Sequence, residues 1–234
     1  MNSLSSHFDA EAASYPTDLG TDHVQARKWS LGRHAVSLAG REVTVVAVDP
    51  SVKMCAQLSN RRDADGLGAR LPICAARLPD LPFADGIFDL VYCFSTLLLL
   101  PPDAQVSSLH RMARLLRPDA KLIVDVAGAK SLAIRYWRRH YRRHGLAGVF
   151  GMNRKQIHAA FESAGLEIVE MEPHGVLTQF LLFPGLDRIS LLAGQIRGTP
   201  DLPGWDSRIS RLVPGFAERW YIVARPSKFF VRHN

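Results

Sequence analysis

The stretch from Leu81 to Val126, LPFADGIFDLVYCFSTLLLLPPDAQVSSLHRMARLLRPDAKLIVDV, limits what this chain can fold into more than any other. Phe88 to Phe94 is a short apolar run opened by the turn Asp85-Gly86, and its length and its Phe, Val and Tyr content predict a buried strand. From Ala104 to Leu116 the apolar positions Val106, Leu109, Met112, Ala113 and Leu116 recur at helical spacing, which predicts an amphipathic helix with Asp103 as N-cap. Pro118 ends that helix, and Lys121 to Val126 reads as the next strand. Strand, crossover helix and strand of these lengths make a βαβ unit with parallel strands and a right-handed connection. The fold class is therefore α/β, with a ligand-binding edge expected where the first of these strands ends, at Ser95, Thr96 and Leu97.

Around this unit the chain has room for one globular domain. It has 234 residues, 47% of them hydrophobic and 22% charged, which suits a single domain over residues 1–234 with a small cap. The opening MNSLSSHFDAEAAS lacks a basic start followed by an apolar core, and no eighteen consecutive residues are apolar, so neither a secretory signal nor a transmembrane segment is expected and the chain reads as cytoplasmic. Cys55, Cys74 and Cys93 are widely spaced with no CxxC, which favours structural thiols over disulfides and predicts no metal site. His34, His110, His144 and His174 are proton-transfer groups by type alone, and none is assigned a catalytic role.

In chain order, Asp22 to Ala39 reads as a helix, and Val43 to Asp49 as a strand that ends in a carboxylate. Pro50 and Ser51 open a further helix that either Ser51 or Asp49 can cap. Ile134 to Gly145 is a basic amphipathic helix holding Arg135, Arg138, Arg139, Arg142 and Arg143; without these five the formal charge of +7 would be +2. Such a helix suits RNA phosphates, an anionic membrane surface or an acidic partner protein, and equally a solvated surface. Asn153 to Ala164 is a helix closed by Gly165, and Leu166 to Met171 and Arg219 to Ala224 are strands. Between those strands, residues 176–214 form an insertion with an apolar helix from Leu186 to Ile196 and a loop through Pro200, Pro203 and Gly204.

LPFADGIFDLV, a helix ending RMARLLRP, and KLIVDV together resemble the middle of class I S-adenosylmethionine-dependent methyltransferases, the type 11 group in particular. Phe8-Asp9, Ala12 and Tyr15 are similar to that group's FDxxAxxY opening, and Gly32-Arg-His-Ala-Val-Ser-Leu-Ala39 to its helix after the glycine loop. The resemblance covers about residues 6–226. It implies a Rossmann-like, mostly parallel twisted sheet with helices on both faces, with S-adenosylmethionine as cofactor. The same resemblance places Asp49 on the cofactor's ribose hydroxyls; Gly32, Pro50, Asp80 and Ser95 are the further candidates for the cofactor site.

Two features depart from that pattern. Upstream of Gly32 stands Gln25-Ala-Arg-Lys-Trp-Ser-Leu31, of helical character, so the first strand and two of three loop glycines are altered or missing. Where the family carries an acid for the adenine amino group, this chain has Ala75, Ala76 and Arg77, with Asp80 the nearest substitute. The resemblance implies methyl transfer to a small acceptor. Phe180, Leu181, Leu182, Phe183, Leu191 and Leu192 offer an apolar wall for a lipophilic acceptor, a dimer face, or core packing. The departures keep open a catalytically silent methyltransferase-like subunit that binds a partner through that wall or through Arg138, Arg139, Arg142 and Arg143. RNA binding by the same basic helix is a third class.

Overall fold

A computed structural model describes residues 4–12, 33–41, 43–182 and 202–227 of the chain. They fall into two compact units, Met1–Pro82 and Phe83–Asn234. In the first unit, α1 (Leu4–Glu11), α2 (Arg33–Ala39), β1 (Ala47–Asp49), α3 (Val52–Ala64) and β2 (Ile73–Ala75) follow in order. The strands pair in parallel, with Ala47 opposite Ile73 and Asp49 opposite Ala75.

The strand expected from Val43 is cut to three residues. Its neighbour at that level is the tight 3-10 turn Gly68–Arg70, so only the Val45 N–H to Arg70 carbonyl bond forms before the regular ladder begins. α3 starts as expected, because the Ser51 hydroxyl accepts from the Met54 N–H, and it buries Met54 and Leu58. Of the helix expected over Asp22 to Ala39, the described part is α2, with Ala35 and Ala39 buried. Tyr15 and the stretch through Gly32 lie outside the described residues, and among those described no strand precedes Ala47.

The second unit contains β3 (Phe88–Cys93), α4 (Pro102–Leu115), β4 (Leu116–Ala127), α5 (Leu132–Arg143), α6 (Arg154–Ser163), β5 (Leu166–His174), α7 (Leu202–Leu212) and β6 (Arg219–Pro226). Its sheet runs β3-β4-β6-β5, with β3 and β4 parallel and β6 antiparallel to both neighbours. α4 and α6 pack on each other and on the sheet. Leu109, Met112 and Leu115 of α4 and Ile157 and Phe161 of α6 are buried, as are Leu122, Val124 and Val126 of β4 and Ile222 and Ala224 of β6. α6 begins with a reciprocal capping box between Asn153 and Gln156.

Three boundaries move for identifiable reasons. Pro101 is the N-cap of α4, and Asp103 sits inside the first turn, where its charge faces the helix's positive end. α4 stops at Leu115 and β4 starts at once, six residues longer than the sequence suggested. Pro118, which has no N–H to give a ladder, falls where the register with β3 slips between Phe88 and Leu90. Pro203 and Gly204 belong to α7 rather than to a loop, Pro203 lying in the first helical turn where proline is tolerated. The helix expected over Leu186 to Ile196 lies outside the described residues.

The insertion is tied down by buried polar side chains. Asp206 of α7 accepts backbone N–H bonds from Gly175, Leu177 and Thr178, and the Ser210 hydroxyl accepts one from Val176. Gln179 joins this segment to the start of α5: its carbonyl accepts from the Leu132 N–H at 2.8 Å while its amide donates to the carbonyls of Val176 and Phe216. No helix among the described residues is long and apolar enough to cross a membrane.

Gly128, just past β4, is held by close backbone approach. Its N–H donates to the Glu218 carbonyl, and a Cβ there would stand 2.0 Å from the Ala217 carbonyl oxygen. Gly128→Ala is expected to destabilise the fold by about 1–3 kcal/mol in denaturant unfolding. Gly215→Ala, where a Cβ meets open space, should leave the midpoint unchanged.

Candidate functional site

In the first unit the chemistry gathers at the carboxyl end of β1. Asp49 ends that strand and is mostly buried; one of its oxygens, Oδ1, accepts from the Ser51 N–H at 2.8 Å. Its other oxygen, Oδ2, has no partner among the described residues. Burial raises the Asp49 pKa above the ordinary carboxylate value, and the charge of Asp9 adds to the rise. Asp9, from α1, accepts from the Ser51 hydroxyl and from the Lys53 N–H, and these bonds hold its own pKa down. Cys55 gives its thiol to the Asp49 carbonyl at 3.4 Å and is pushed up in pKa, by burial first and by Asp49 second. Asp49 is therefore an acceptor with one side held and one side open, and its charged form gains from any donor placed on Oδ2. A pair of sugar hydroxyls is such a donor.

The other cofactor candidates of this unit have plain positions. Pro50 is exposed between β1 and Ser51. Asp80 is exposed, with Arg77 3.7 Å away. Ala75 and Ala76 present no acceptor side chain, as the sequence indicated. Gly32 lies outside the described residues.

In the second unit the focus is the end of β3. Ser95 adopts φ 57°, a left-handed conformation that non-glycine residues take rarely. Its N–H donates to Asp125 Oδ1 at 2.6 Å, and Asp125 Oδ2 accepts from Arg219 Nη1 at 3.0 Å. Asp125 is only 3% exposed. Beneath Ser95, the Cys93 thiol is pushed up to about 12 by burial and by the Asp125 charge, and the Tyr92 hydroxyl to about 12 by burial. An aromatic row crosses the sheet beside this carboxylate. Tyr92 lies 5.9 Å from Phe94, Phe94 6.1 Å from Tyr221, and Tyr221 5.2 Å from His174, between ring centres. Tyr221 pairs with Asp125 across β6 and β4, so both project from one face of the sheet, and Tyr221 is 43% exposed.

The sequence reading singled out neither Asp125 nor Arg219. The available signal was an acid inside the apolar run LIVDVA, a residue type rarely buried unless paired. Of the partner-surface candidates, Arg139, Arg142 and Arg143 are exposed on α5, whereas Arg138 turns inward and its Nε donates to the Val149 carbonyl. Phe180 is exposed on the 3-10 turn Thr178–Leu182, and Phe183, Leu191 and Leu192 lie outside the described residues. Among the described residues no cluster of His, Cys, Asp and Glu is arranged to hold a metal ion.

Residues 30–119 match a family model described as a methyltransferase domain. The chain also superposes on solved structures of that class. It is built on the class I methyltransferase fold. The [4+2]-cyclase SpnF is 19% identical with TM-score 0.59, over 85% of this chain and 72% of that one. Geranyl diphosphate C-methyltransferase from Streptomyces coelicolor A3(2), solved with Mg2+, geranyl diphosphate and S-adenosyl-L-homocysteine, is 14% identical with TM-score 0.57, over 83% and 67% of the two chains. A chain of the Haloferax volcanii complex that contains the Trm112 methyltransferase activator is 17% identical with TM-score 0.58, over 96% and 98%. Against this methyltransferase fold, the four-stranded sheet of the second unit has the antiparallel last strand inserted beside β4, and the Asp49 strand stands in the matched segment.

Asp49 makes stability depend on pH in a set direction. In the unfolded chain it titrates near 3.8, and in the fold it titrates higher. Between those values the folded state holds a proton that the unfolded state has lost, so stability falls as pH rises through that window. Asp49→Asn keeps the acceptor for Ser51 and removes the charge. In thermal unfolding it should be more stable than the parent protein at neutral pH, with the gain vanishing below the ordinary carboxylate range.

Proposed function

We propose that this chain is an S-adenosylmethionine-dependent methyltransferase acting on a small acceptor. The observation that carries the reading is the second carboxylate oxygen of the part-buried Asp49 at the end of β1, without a partner among the described residues, where a ribose diol would satisfy both the desolvated charge and its own hydroxyls. The group that would bind there supplies an electrophilic methyl on a sulfonium. The protein's task is then alignment of an acceptor with that methyl, and a general base is needed only for a weakly acidic acceptor. Taken by itself, the second unit offers the ring faces of Phe94, Tyr221 and His174 next to one satisfied carboxylate, a surface that suits an apolar or aromatic body.

The residues fit the cofactor unevenly. Asp49 suits the ribose, and Pro50 follows it directly at the end of β1, an edge of the kind that binds ligands in open α/β sheets. Ala75, Ala76 and Arg77 give the adenine no side-chain acceptor, and the nearest substitute, Asp80, is exposed beside Arg77. Calorimetric titration with S-adenosylmethionine and S-adenosylhomocysteine tests the reading. Binding that weakens at least about 100-fold in Asp49→Ala is expected, the loss of two charge-assisted hydrogen bonds. Absence of binding in the parent protein, or equal binding in the variant, would reject it in favour of a methyltransferase-like subunit that works through a partner.

A further inference from the structure

α5, with the sequence LAIRYWRRHYRR, is an amphipathic helix with five arginines and no acid. Ala133, Ile134 and Tyr141 are buried, and Arg138 is tied to the Val149 carbonyl, which fixes the inward side. At 100° per residue, Arg135, Arg139, Arg142 and Arg143 then share one arc of about 100° on the outward side, and all four are exposed. Several arginines on other elements meet carboxylates: Arg111 and Arg114 pair with Asp85, Arg117 with Asp89, Arg211 with Glu172 and Arg225 with Glu167. Among the described residues the four of α5 meet none.

We propose that this outer face of α5 is a binding surface for single-stranded RNA, independent of methyl transfer. The helix rise sets Arg135, Arg139 and Arg143 at successive intervals of about 6 Å along the axis, a regular row of planar bidentate donors suited to a phosphate chain. Tyr136 lies at one edge of the same arc, one turn before Arg139, and is 41% exposed. Its ring stands at 86° to that of Trp137, 5.2 Å between centres, and its exposure leaves ring surface on which a base can stack. An anionic membrane is the poorer fit. A membrane-binding helix inserts its apolar side, and here that side is buried in the protein. The surface is also firmly placed, because the Ser131 hydroxyl and the Gln179 carbonyl cap the start of α5 and Gly145, at φ 76°, closes its end.

The test is fluorescence anisotropy of a labelled short oligouridylate with the full-length protein. Four phosphate contacts predict affinity that falls about 50-fold for a fourfold rise in salt. Changing Arg135, Arg139, Arg142 and Arg143 together to Gln should weaken binding at least tenfold and remove most of the salt dependence, with circular dichroism unchanged. Tyr136→Ala should weaken it about fivefold at constant salt slope. No binding at low salt, or binding untouched by the arginine changes, would overturn the proposal. Binding to phosphatidylserine vesicles without binding to the oligonucleotide would also overturn it and assign the face to a membrane.

Discussion

One buried carboxylate holds three strand ends of the larger unit together. Asp125 stands near the end of β4, accepts the Ser95 N–H from the end of β3, and pairs with Arg219 at the start of β6. A charge this far from water is tolerated only when both oxygens are satisfied, so the three strand ends are fixed relative to one another by the same requirement. The left-handed Ser95 is part of that arrangement: the cost of its backbone is offset by the short bond it gives to Asp125. The aromatic row from Tyr92 to His174 takes its position from the strands so fixed.

Asp49 shows the opposite use of the same side chain. It too ends a strand and is mostly removed from water, yet only one oxygen is matched within the described residues. Burial and the nearby Asp9 both disfavour its charge, and the Ser51 N–H bond offsets only part of that cost. An acid completed by its neighbours organises structure, whereas an acid left half-complete keeps an acceptor for a further donor.

Much of this was legible in the chain. The βαβ unit, the capping of α3 by Ser51, the α6 helix with its closing glycine and the basic helix all follow from spacing and cap chemistry, which act within a few residues. The resemblance to class I methyltransferases rested on the same middle stretch, and the family match and the fold agree with it. The errors were of a different kind. Val43 to Val46 have strand composition but meet a tight turn, and Pro203-Gly204 read as a loop although they open a helix.

What the sequence determined by itself was therefore the local order of helices and strands, the concentration of positive charge in one segment, and a carboxylate at a strand end. Only tertiary structure decided which acid is satisfied and which is open, because Asp125 is completed by Ser95 and Arg219, distant in the chain. It alone turned Arg138 inward onto Val149 and left Arg135 and its three neighbours facing out, since the side of a helix that is buried is chosen by what packs against it. Local patterns are set by chain stereochemistry, while burial and ion pairing are set by partners that proximity in sequence does not reveal.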